Sequence, residues 1–170
     1  MKTKPAHKEW AIGEDCAKEL PVQIDAAIHS AEAYGIPLPA EFVILIRTPE
    51  LHKHIRSVTA CYLNIARSLL PFDGGYLLRF LHDQQDCAFW YLYLNAEGSD
   101  HCVVTSYEFF DADNMDHEIS DLNENQFQIQ ETSFERFMAK FWIENEILFA
   151  EYDETEPPEI GEKFLKLYSQ

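Results

Sequence analysis

Asp111-Ala112-Asp113 opens like a calcium-binding loop, in which oxygens at positions 1, 3, 5 and 12 wrap the cation and a glycine at 6 makes the sharp turn. Met115 stands at the fifth place, Asp116 at the sixth and Leu122 at the twelfth, so the stretch reads as an acidic loop and not as a calcium site. His52-Lys53-His54 and His82-Asp83 lack the two histidines four apart, with a glutamate between, that zinc hydrolases use. Cys16, Cys61, Cys87 and Cys102 contain no C-x-x-C pair, and the last three lie in apolar runs that raise a thiol pKa instead of activating it. They read as reduced core thiols. No G-x-S-x-G elbow is present, and Asp73-Gly74-Gly75 lacks the Lys-Ser/Thr of a phosphate loop, so it reads as a turn. With 30 Asp and Glu some carboxylates always lie close, and that abundance removes paired carboxylates as a signal. The expectation is a non-enzymatic chain with no catalytic residues, no metal site and no cofactor.

The informative chemistry is charge. The net charge is −17, and it is not spread evenly. Residues 1–70 carry eight acids and eight bases, whereas residues 71–170 carry 22 acids against Arg79, Arg136, Lys140, Lys163 and Lys166. A field of that sign repels phosphate backbones and anionic leaflets, which excludes direct nucleic-acid and membrane binding. It attracts a basic protein and raises its on-rate, although acidity also serves solubility alone. The candidate partner-binding residues are therefore Asp73, Asp83, Glu97, Asp100, Asp111, Asp113, Asp116, Glu118, Asp121 and Glu124. If they act only through their field, reversing Asp111, Asp113 and Asp116 to Lys slows association and leaves stability equal or higher.

These residues must be held by a fold. A chain of 170 residues, 46% hydrophobic and 14% aromatic, is long and apolar enough to bury one core without staples, so residues 1–170 are expected to form one domain. Met1 to Trp10 has basic residues without an apolar run behind them, and no stretch approaches a membrane span, so a cytoplasmic location is expected. The first ten or so residues are expected to fray. Helical spacing of Val22, Ile24, Ala27, Ile28, Ala31 and Tyr34, stopped by Gly35, predicts a helix over 21–34, and Pro39 with an apolar run predicts another over 39–47. Residues 49–70 fit either a helix or a strand. Aromatic and β-branched runs at Tyr76 to His82, Phe89 to Asn95 and Cys102 to Tyr107, separated by turn residues, predict an antiparallel meander. On its middle strand Trp90, Leu92 and Leu94 face one way and Phe89, Tyr91 and Tyr93 the other, so the aromatic face needs a cover or a ligand. Residues 111–126 read as a polar loop. Thr132 and Glu135 look like a capping box before a helix ending near Ala150, residues 153–158 break it, and Glu159 to Tyr168 can add a short last helix. Phe137, Phe141, Trp142 and Phe149 read as core, with a ligand groove as the other reading.

The order of these features resembles the SUKH superfamily, which includes fungal cell-wall-synthesis regulators of the Knr type, the Syd proteins and many bacterial immunity proteins. The resemblance runs over about residues 20–150. It rests on a helix before Gly35-Ile36-Pro37-Leu38-Pro39-Ala40-Glu41-Phe42, on Leu70-Pro71-Phe72 with Asp73-Gly74-Gly75 leading into Leu78-Arg79-Phe80, on Trp90-Tyr91-Leu92-Tyr93 and Val103-Val104, and on Ser133-Phe134-Glu135-Arg136-Phe137 before a long helix. Thr48 to His54 departs from the Asn-Gly-Gly that commonly follows the second helix in that family. The resemblance implies an α+β fold with helices packed on one face of a mixed or mainly antiparallel sheet and no enzymatic apparatus. It also implies a protein-binding role, in bacterial members the neutralisation of a toxin that is often a nuclease. The other reading is a regulatory or small-molecule-binding domain that uses the aromatic face of the sheet.

Overall fold

A computed structural model of the chain describes residues 10–13, 18–113, 122–160 and 166. It is an α+β fold with every strand pair antiparallel. Helix α1 spans Leu20–Tyr34, starts with a proline in its first turn and stops at Gly35, whose φ of 69° is costly for residues with a Cβ. The Gly35 and Ile36 amides close the helix on Glu32 and Ala31. Helix α2, Ala40–Arg47, carries Glu41 in its first turn and Arg47 in its last, both matched to the helix dipole, and buries Phe42, Leu45 and Ile46. A single turn, α3, covers Pro49–His52. The long helix α4 covers Phe134–Asp153 and ends where Glu154 turns left-handed at φ 54°. Its cap is Ser133, whose Oγ accepts the Arg136 amide, so the expected Thr132 box is one residue out of register.

The sheet contains β1 (Tyr62–Leu63), β2 (Leu70–Phe72), β3 (Gly75–His82), β4 (Phe89–Asn95), β5 (His101–Ser106) and β6 (Gln128–Glu131), in the order β1-β3-β4-β5-β6 with β2 also on β3. The predicted meander is β3, β4 and β5; β2 and β6 lie in stretches read from sequence as turn or left unassigned. Helices α1, α2 and α4 cover one face. There Phe42, Phe80 and Phe134 meet edge to face at 5.1–5.9 Å, with Leu78, Leu92, Leu94 and Val103 beneath them. Fully burying each such side chain contributes about 1.5–3 kcal/mol, which makes this face the main source of stability. The opposite face carries Leu77, Phe89, Tyr91 and Val104; among the described residues its cover is Phe72, Phe110, Leu122 and Phe127, not a helix. The alternation expected on β4 is the one observed.

The pairing of β3 with β4 slips between Arg79 and Leu81, so Phe80 and Leu81 both enter the helix-side core. The extra residue returns His82 to the face that Arg79 occupies, and both lie against the Phe109 ring. The segment from Lys53 to Leu69 is mostly irregular. Its amides are taken up by helix side chains: Asn145 Oδ1 accepts Val58, Gln23 Oε1 accepts Ile65 and Ser30 Oγ accepts Leu69. Trp10, Ala11 and Ile12 are tied to the same segment through Ser57, Arg56, Ile55 and Leu63, by an isolated antiparallel bridge and backbone hydrogen bonds.

Candidate interaction surface

The candidate acids separate to the two ends of the sheet. At one end β2 and β3 are joined by Asp73-Gly74, both at positive φ (46° and 71°), the pattern of a two-residue type I′ hairpin. Tyr93 Oη donates to the Asp73 carbonyl at 3.1 Å and fixes the turn. Gly75 follows because a Cβ there would collide with the Leu94 carbonyl oxygen. Gly75 pairs with Asn95, which places the next turn, residues 96–100, alongside. In that turn Asn95 Oδ1 accepts the Ser99 and Asp100 amides at 2.9 and 3.2 Å. Asp73, Glu97 and Asp100 are all exposed at this end.

At the other end the carboxylates are spoken for. Asp83 is buried, and its Oδ2 accepts the Gln85 amide at 3.2 Å and the Cys87 amide at 3.4 Å, which shapes the turn between β3 and β4. Asp111 Oδ2 accepts from Arg79 Nη2 at 2.6 Å, while its Oδ1 accepts the Asp113 amide at 3.1 Å. Arg79 is 4% exposed, and its Nη1 donates to Asn64 Oδ1 and to the Asn64 carbonyl. Its guanidinium lies 4.4 Å from the centre of the Phe109 ring, and its buried Nε has no hydrogen-bond partner among the described residues. Beside it His82 Nε2 donates to Asp86 at 2.6 Å, Nδ1 accepts from the Tyr62 hydroxyl at 3.1 Å, and the two rings stack. Burial pushes the His82 pKa down and outweighs the Asp86 hydrogen bond that pushes it up. Tyr91, its pKa raised by burial, ties residues 107–113 down over the sheet: its hydroxyl donates to the Glu108 carbonyl and accepts the Phe110 amide. Asp83 and Asp111 thus serve the fold, the first by shaping a turn and the second by pairing a buried arginine, unlike the exposed candidates.

Of the remaining candidates, Asp113 is exposed and accepts from Ser68 Oγ, and Glu124 is exposed in the short 3-10 turn Glu124–Gln126. Asp116, Glu118 and Asp121 lie outside the described residues, as do Cys16, most of the first ten residues and most of the expected last helix. Three of the five bases in the second part of the chain are paired with its own carboxylates. Arg79 is held by Asp111, and Glu131 takes both Arg136 and Lys140, at 3.2 and 3.6 Å. Sequence reasoning missed the Arg79 network. A signal was present: an arginine inside Leu77-Leu78-Arg79-Phe80-Leu81 must find a buried carboxylate.

The aromatic residues of α4 divide between core and margin. Phe137, Phe141 and Phe149 are buried, while Trp142 is half-buried; Trp90, Phe137 and Phe141, with Gln130, Lys140 and Glu144, line a small, partly open pocket of about 110 Å³. A larger open groove of about 460 Å³ runs past Pro71, Phe72, Asp73, Tyr76 and Leu122. Cys61 is buried and Cys102 half-buried, both with pKa values raised by burial. Cys87 corrects the core-thiol expectation, because the β3 to β4 turn leaves it exposed. Among the described residues no group of three His, Cys, Asp or Glu could hold a metal ion, and no helix is long and apolar enough to cross a membrane. No family model, curated protein or solved structure matches the chain.

Proposed function

We propose that this chain is a non-enzymatic protein-binding domain of the SUKH type that engages a basic protein, and that in a bacterial cytoplasm its partner is a nuclease-type toxin which it neutralises. The observation that carries the reading is the disposition of charge. Arg79 is buried against Asp111, and Arg136 and Lys140 both lie beside Glu131, while Asp73, Glu97, Asp100, Asp113 and Glu124 stand exposed. With 22 acids against five bases after residue 70, this part of the chain presents a negative field that steers cationic surfaces. The SUKH resemblance of the sequence implies the same role, and the α+β fold is compatible with it.

The alternative, a ligand on the aromatic sheet face, gains no support: Phe110 and Phe127 pack over it with ring centres 5.3 Å apart, and Phe127 lies 5.6 Å from Tyr91. The test is stopped-flow association with an inactivated cationic nuclease toxin domain. The on-rate should fall several-fold as salt rises to about 0.15 M, where the Debye length is about 8 Å, with dissociation changing less. Salt-independent association, or none with such toxins, removes the proposal.

A further inference from the structure

The groove at the β2–β3 hairpin bears on how such a partner is held, and the inference rests on the proposed basic partner. We infer that the groove receives an arginine side chain of that partner, with Asp73 as its anchor. The walls supply apolar and aromatic surface from Pro71, Phe72, Tyr76 and Leu122, and among the described residues Asp73 is the one charged group lining it. The groove is open, and its volume of about 460 Å³ leaves room for one long side chain to lie along it. Asp73 differs from the other aspartates of the sheet ends, Asp83, Asp100 and Asp111, in that no described hydrogen bond or ion pair engages its carboxylate; the turn is held through its carbonyl instead.

Those features select the chemistry of the guest. A carboxylate beside aromatic surface favours a cation that is flat and weakly hydrated, because such a cation stacks on the rings while it donates two parallel hydrogen bonds. Guanidinium does both; an ammonium is more strongly hydrated and binds as a point charge. The groove is also rigid on its floor. A type I′ turn, the Tyr93 hydroxyl and the tight approach of Gly75 to Leu94 fix the backbone that carries Asp73 before anything binds, which lowers the entropic cost of docking. The neighbouring Glu97 and Asp100 add negative potential without lining the groove.

The experiment is a heteronuclear NMR titration of the full chain with a hexa-arginine peptide, repeated with hexa-lysine, on the wild type, Asp73→Asn and Asp100→Asn. Asn is the right replacement at position 73 because it tolerates positive φ and Asn-Gly suits a type I′ turn, so the fold stays intact. The two variants remove the same charge from the same end of the sheet. Saturable shifts at Gly74, Gly75 and Tyr76 with hexa-arginine, weakened about tenfold by Asp73→Asn and less than about twofold by Asp100→Asn, are the expected result. Equal losses in both variants, or equal affinity for the two peptides, would overturn the arginine site and leave the general acidic steering intact. If neither peptide binds the wild type, the groove assignment fails along with it, whereas the broader reading is decided separately by the toxin association.

Discussion

Asp73 and Asp111 are aspartates of the same acidic half of the chain, each beside a strand of the same sheet, and the fold uses them in opposite ways. Asp111 sits 13% exposed against a guanidinium that is itself 4% exposed. Asp73 stands at a hairpin tip with its carboxylate unengaged among the described contacts. The difference lies in what the chain does next to each. After Asp73 it turns through two residues into β3, and the side chain is left outside. Before Asp111 it has crossed back over the sheet, pinned by Phe109 and Phe110, and the bulge in β3 has put Arg79 beneath it. One end of the sheet therefore holds buried, paired charge and the other exposed charge, and the two should respond differently to the same substitution.

The largest response belongs to the paired end. Asp111→Ala leaves a buried guanidinium without its carboxylate and should lower unfolding stability by about 3–5 kcal/mol, measured by urea unfolding. The pair Arg79→Met with Asp111→Leu should recover much of that loss, because removing both charges leaves nothing unpaired. An Asp111 substitution as mild as one at Asp73 would break the comparison. The triple reversal of Asp111, Asp113 and Asp116 to Lys, expected from sequence to leave stability equal or higher, should instead be strongly destabilising, through Asp111.

The exposed end depends on shape more than on charge. Gly75→Ala brings a methyl group against the Leu94 carbonyl and should cost about 1–3 kcal/mol, the usual cost of overpacking, seen as a lower thermal midpoint.

A pH dependence comes from two buried histidines, one beside the Arg79 network and one in α3. His82 and His52 both have their pKa lowered, by burial first, below the ordinary 6.5; His52 donates to the Leu45 carbonyl at 2.7 Å. Between the lowered pKa and 6.5 the unfolded chain binds more protons than the folded one, so stability should fall as pH drops through 6.5 and level off below the folded values. His52→Gln should flatten part of that slope in unfolding curves between about pH 5 and 7.5, around the ordinary histidine pKa. A slope unchanged in both His52→Gln and His82→Gln would assign it to other groups.

The smallest effect on stability is expected for Asp73→Asn, Glu97→Gln and Asp100→Asn together. Surface charges of this kind change stability by about 0.5 kcal/mol or less, yet the association rate with a cationic partner should drop several-fold. Stopped-flow rates set beside thermal midpoints would show whether the two properties separate as the geometry requires.

Helices α1, α2 and α4 and strands β3, β4 and β5 were legible because their periodicity is written locally, in the spacing of Ile24, Ala27 and Ala31 or in the alternation of Trp90 to Asn95. The segment 53–69 was not, since its amides are satisfied by Asn145, Gln23 and Ser30, partners that no local pattern announces. Strand β6 is four residues with Ile129 facing out, too short and polar to show a period. Among the candidate acids, net charge identified the type of surface but could not sort Asp73 from Asp83 or Asp111.

By itself the sequence determined the α+β class, the antiparallel meander, the two-sided burial of β4 and the concentration of −17 in residues 71–170. All of these depend on residue type, spacing and sums, which need no knowledge of distant contacts. Tertiary structure alone decided which charges remain. The bulge in β3 places Arg79 and His82 on one face, the segment from Tyr107 to Asp113 brings Asp111 down onto Arg79, and the hairpin leaves Asp73 over a groove. Whether a carboxylate is free or paired depends on groups far away in sequence, as with Arg79 and Asp111, separated by 32 residues. Burial makes such pairing hard to escape, because a charge removed from water must find its opposite.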